Sequence, residues 1–132
     1  MENKNMTRFC GMLGFAMRAG RVIIGADQVA AALPNRMTKA VKLVLVSYEA
    51  SEATKKRFAY KCEFYHKELR QIDIETSELG RLLGKQYAPA VIAITDDRFA
   101  EELTRALDFY ESTKPSADQN EKRKESSTME DR

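Results

Sequence analysis

Residues 18–31, RAGRVIIGADQVAA, hold two glycine turns around a three-residue apolar run. Val22-Ile23-Ile24 is β-branched and too short for a helix, so it reads as a strand. Gly25 then marks a strand-to-helix turn. The following helix runs through Val29, Ala30 and Leu33 and stops near Pro34-Asn35. Upstream, Met6, Phe9, Cys10, Leu13 and Met17 share one helical face, and Gly20 can close that helix in the left-handed conformation.

The rest of the chain repeats this alternation. KLVLVS (42–47) is a continuous apolar run, typical of a strand buried on both faces. Ser51 is a good N-cap for a helix with Phe58, Cys62 and Tyr65 on its apolar stripe. LRQIDI (69–74) has the period-two pattern of a strand with one exposed face. TSELGRLLG reads as a short helix capped by Thr76 or Ser77 and ended by Gly84. AVIAIT (90–95) is a further buried strand, with Pro89 fitting the lead-in to an edge strand. Asp96 and Asp97 open a last helix with the stripe Phe99, Leu103, Ala106, Leu107 and Tyr110. This order predicts an α/β protein, a three-layer α/β/α sandwich around a small four-stranded mixed sheet.

Length argues for one domain over 1–111 in a chain of 132 residues. Residues 112–132 contain almost no apolar side chain and read as a disordered charged tail. The net charge is +2, but residues 1–44 carry +5, residues 45–111 carry −3 and the tail carries zero. That asymmetry fits an anion-facing patch, although scattered solvated charges give the same count. Cys10 and Cys62 lack any paired spacing and read as free thiols of a reducing compartment. With one histidine and two distant cysteines, no metal or cofactor is expected. No apolar run is long enough for a membrane span and the N-terminus does not resemble a signal peptide, so a cytoplasmic protein is expected.

LGFAMRAGRVIIGADQV, KLVLVSYEASEATKKRF, ELGRLLGK and VIAITDDRFAEEL, in this order, resemble the bacterial YlxQ-type branch of the kink-turn-binding ribosomal-protein superfamily. The resemblance covers roughly residues 6–110. It implies a three-layer α/β/α fold and binding of kink-turn RNA, a sharply bent duplex with tandem sheared G·A pairs. It also implies that the glycine-led turn faces those pairs, while the loop before the last strand packs on a bulged nucleotide. Many members have Asn then Glu where this chain has Asp27 and Gln28, and a Lys where it has Ala31.

On this reading the RNA-binding residues are Arg21, Gly25, Ala26, Asp27, Gln28, Arg36 and Lys39, with Gly84, Lys85, Gln86 and Tyr87 from the second loop. A glycine lets RNA backbone approach closely, and first-turn N–H groups suit a phosphate. A carboxylate accepts from guanine donors, and an amide both donates and accepts. Two plainer readings stay open. Asp27 can simply complement the helix dipole. Tyr87 can be half buried in a solvated loop instead of stacking on a base. Lys55, Lys56 and Arg57 read as a solvated face, with a secondary ribosomal RNA contact as the alternative.

The expected function is a non-catalytic, monomeric RNA-binding protein of ribosomal or ribosome-associated RNA. The alternative is a protein-interaction module on the same fold that has lost kink-turn binding. His66, the only histidine, ends a charged helix, and no nucleophile elbow or phosphate-binding glycine loop is present, so an enzyme is not expected.

Overall fold

The computed structural model describes residues 4–36 and 40–113. Among them the elements are α1 (Lys4–Arg18), β1 (Val22–Ile24), α2 (Ala26–Ala32), β2 (Leu43–Ser47), α3 (Glu52–Tyr65), β3 (Glu68–Ile72), α4 (Thr76–Leu82), β4 (Val91–Ile94) and α5 (Asp97–Thr113). The strand order is β1-β4-β2-β3. β2 and β3 are parallel, while β4 runs antiparallel to both β1 and β2. The expected mixed four-stranded sheet is therefore present.

Side-chain alternation along the two central strands builds two cores. Leu43, Leu45, Ile92 and Ile94 face α1, α4 and α5 and pack with Phe9, Leu13, Leu79, Leu103 and Leu107. Val44, Val46, Val91 and Ala93 face α2 and α3 and pack with Val29, Leu33, Phe58 and Cys62. The smaller strand residues on the second face leave room for Phe58, which is fully buried. Burying a side chain of this size contributes roughly 1.5–3 kcal/mol. Helices on both faces explain why KLVLVS and AVIAIT lack alternation.

Several local expectations are met. Gly20 adopts φ 74°, and Arg21 N–H donates to the Ala16 carbonyl at 3.0 Å, closing α1. Ser51 Oγ accepts from the Thr54 N–H at 3.1 Å, capping α3. Asp96 Oδ2 accepts from the Phe99 N–H at 2.9 Å, capping α5.

Four expectations need correction. Neither Thr76 nor Ser77 is the N-cap of α4; that position is Glu75, whose side chain makes no cap hydrogen bond. The Glu49 carboxylate accepts from the Thr76 N–H at 2.8 Å instead. Pro89 leads into a central strand, not an edge one, and is tolerated because pairing begins only at Val91. β3 begins at Glu68 and ends at Ile72, so Asp73 leaves the sheet and accepts from the Tyr110 hydroxyl at 2.9 Å. Finally, α5 runs through Ser112 and Thr113, whose hydroxyls donate to the Phe109 and Tyr110 carbonyls. The boundary at 112 thus falls inside its last turn, and residues 114–132 lie outside the described residues.

Candidate functional site

Gly25 sits at the corner between β1 and α2 with φ 105° and ψ 142°, a conformation that L-residues rarely adopt. A Cβ placed there would meet nothing within 4 Å. The glycine is thus required by backbone conformation, and it leaves open space in front of the helix. Because Gly25 has no side chain, the first turn of α2 has no side-chain cap. Ala26 is half-buried against the α3 face of the sheet, whereas Asp27 and Gln28 are exposed.

The second loop is joined to this corner. Gly25 N–H donates to the Val91 carbonyl at 2.9 Å, and Ser47 N–H donates to the Ala90 carbonyl at 2.9 Å. At its other end the loop leaves α4 through Gly84, φ 71°, with Gly84 N–H on the Arg81 carbonyl and Lys85 N–H on the Gly80 carbonyl. Gly84, Lys85, Gln86 and Tyr87 are all exposed, with 55% of Tyr87 in solvent. Gly80 makes the fold of this loop possible, because a Cβ there would lie 2.2 Å from the Tyr87 carbonyl oxygen. A glycine inside a short helix was the available sequence signal for this contact.

Arg57 lies 3.6 Å from the Asp27 carboxylate and over the Phe58 ring. Arg57 was read from sequence as part of a solvated face, and no local pattern pointed to its partner on α2. On the β2–β3 side Tyr48 lies among carboxylates. Burial chiefly pushes its hydroxyl above the usual tyrosine range, followed by Glu49, Glu75 and Asp73.

Gly25, Ala26, Asp27 and Gln28 share the corner, and Gly84, Lys85, Gln86 and Tyr87 share the exposed loop that leads toward β4. Arg21 does not join them. Its carbonyl accepts from Thr95 N–H at the opposite end of β1, about 13 Å away by strand rise. Arg36 is also remote, lining a hollow with Leu33, Pro34, Phe64, Tyr65, His66 and Lys67 beyond the far end of α2. Lys39 lies outside the described residues. Among the described residues no three His, Cys, Asp or Glu side chains form a metal-ligating group. No helix there is long and apolar enough to cross a membrane.

The ribosomal protein L7Ae/L30e/S12e/Gadd45 family profile matches residues 8–104. The chain is 37% identical over 97 residues to the RNA-binding protein YlxQ of Bacillus subtilis (strain 168), covering 74% of this chain and 92% of that relative. It is 30% identical over 108 residues to the RNA-binding protein YlxQ of Enterococcus faecium, covering 82% and 99%. A protein with unknown function from Bacillus halodurans C superposes with TM-score 0.68 at 32% identity, covering 76% of this chain and 96% of that one. The Giardia lamblia 15.5kD RNA binding protein shares the fold, with TM-score 0.64 at 13% identity over 85% and 92%.

Proposed function

The chain belongs to the ribosomal protein L7Ae/L30e/S12e/Gadd45 family, and from that premise we propose that it is a non-catalytic RNA-binding protein. Its target is a kink-turn-like, sharply bent RNA of ribosomal or ribosome-associated origin. The observation that carries this reading is the hydrogen bond from Gly25 N–H to the Val91 carbonyl. It ties the corner to the first residue of β4, directly after the 84–90 loop, and on this reading a single bent RNA touches both.

The chemistry of each part follows from its exposure. The bare Gly25 corner admits sugar-phosphate backbone, and the uncapped N–H groups of the first turn offer donors to it. The Asp27 carboxylate accepts from guanine imino and amino groups, and Gln28 supplies one donor and one acceptor. Arg57 at 3.6 Å orients that carboxylate and offsets its charge beside phosphates. Lys85 contributes phosphate attraction, and the exposed Tyr87 ring stacks on an unpaired base, worth about 1–3 kcal/mol. Phosphate contacts supply affinity and the few base contacts fix register.

The test is binding to a kink-turn duplex in Mg²⁺, beside a straight duplex of equal length. Wild type should prefer the kinked RNA, and Asp27→Ala with Gln28→Ala should weaken it about tenfold or more. Unchanged affinity in the folded double variant would remove the reading role from this turn. An exposed Ala31 stands where many relatives place a Lys. Lack of any preference for the kinked duplex would therefore favour a protein-interaction module.

A further inference from the structure

On the outer side of α3, Arg57, Tyr60, Lys61 and Phe64 are spaced i, i+3, i+4 and i+7, one stripe of a helix. Tyr60 is 74% and Phe64 68% exposed, more than any other large hydrophobic side chain among the described residues. The Tyr65 ring meets Phe64 edge-to-face at a centroid distance of 4.9 Å. This holds Phe64 upright while most of its surface stays in solvent. One flank of Phe64 borders Tyr60 and Lys61. Its other flank is a wall of the hollow that holds Arg36 and Lys67. Glu63 is the carboxylate beside this pair of rings. Among the described residues Lys61, Lys67 and Arg36 have no carboxylate within 4.0 Å. The stripe starts at Arg57, beside Asp27, and Phe64 lies about 10 Å farther along the helix axis.

We propose that this stripe is a track for single-stranded RNA, with two bases stacked on Tyr60 and Phe64 and the backbone drawn by Lys61, Arg36 and Lys67. The proposal rests on the reading of the chain as an RNA binder, and it adds an unpaired strand running from the corner down α3. Charge decides the occupant. Three cations against one carboxylate around two exposed rings match a polyanion with flat bases, and stacking on aromatic rings is tolerant of sequence. Arg36 finds its role here, away from the corner.

The test uses a fluorescein-labelled ten-nucleotide oligouridine and the kink-turn duplex, measured separately by anisotropy. Tyr60→Ala with Phe64→Ala should weaken oligouridine binding about tenfold or more, while leaving duplex affinity within about twofold. Tyr60→Phe with Phe64→Tyr should retain binding, since both replacements keep a stacking face. Asp27→Ala with Gln28→Ala should do the reverse, losing the duplex and keeping the oligouridine. Both rings are exposed, so thermal unfolding should match wild type in either ring variant. The proposal is overturned if wild type ignores oligouridine at low salt, or if the alanine variant binds it unchanged. A protein partner would then be the occupant of the stripe. Wild type that binds oligouridine but not the kink-turn duplex would count against the corner, while the ring variants still decide the track.

Discussion

Gly80→Ala sets two physical effects against each other. In a helix interior Ala is favoured over Gly by about 1 kcal/mol, so propensity alone predicts a more stable protein. Yet the new methyl would lie 2.2 Å from the Tyr87 carbonyl oxygen, 3.3 Å from its carbonyl carbon and 3.4 Å from Pro89 Cδ. Relief requires the 84–89 backbone to retreat by about 1 Å, and overpacking of this kind costs roughly 1–3 kcal/mol. The loop has little freedom to retreat. Lys85 N–H is tied to the Gly80 carbonyl at one end, and Ala90 and Val91 are tied to Ser47 and Gly25 at the other. The net expectation is a loss of about 1 kcal/mol, or about 4–8 °C in Tm for a domain of this size. Gly11→Ala is the control, because Gly11 is an exposed α1 position with nothing within 4 Å of a Cβ. That change should stabilise by up to about 1 kcal/mol. Urea and thermal unfolding followed by circular dichroism read both variants. If Gly80→Ala stabilises as Gly11→Ala does, the close approach of loop to helix is not what selects this glycine.

Three further outcomes are expected. His66 holds φ 59° at the end of α3, so His66→Gly should stabilise by about 0.5–1 kcal/mol in urea melts, despite the greater freedom of unfolded glycine. Burial, and then the hydrogen bond to Asp73, push the Tyr110 hydroxyl from about 10 up to about 12. The raised value favours the neutral folded form, so its contribution is present below pH 10 and lost as pH rises through about 12. Alkaline unfolding curves should be flatter in that window for Tyr110→Phe than for wild type. Burial pushes the Cys62 thiol up to about 11. Iodoacetamide near neutral pH should therefore label half-buried Cys10 first and reach Cys62 only on unfolding, read by mass spectrometry.

The sequence by itself determined the element order and the α/β class, because hydrophobic period, glycine turns and N-cap residues are local properties of the chain. It also made Gly20, Ser51, Gly84 and Asp96 legible as helix ends, since each cap partner lies within a few residues. Tertiary structure decided the rest. Helix α4 is capped by Glu49, 27 residues away, so no pattern around Thr76 could reveal it. Arg21 and Gly25 are near neighbours in sequence, but an extended strand carries them to opposite ends of the sheet. Gly25 and Val91 are far apart in sequence, but β1 pairs with β4 and brings the corner beside the strand that the 84–90 loop leads into. Composition located positive charge in the first third of the chain, whereas strand order decided which charges share a face. Pairing between strands is a long-range choice, set by how both sheet faces are buried, and local sequence carries only its ingredients.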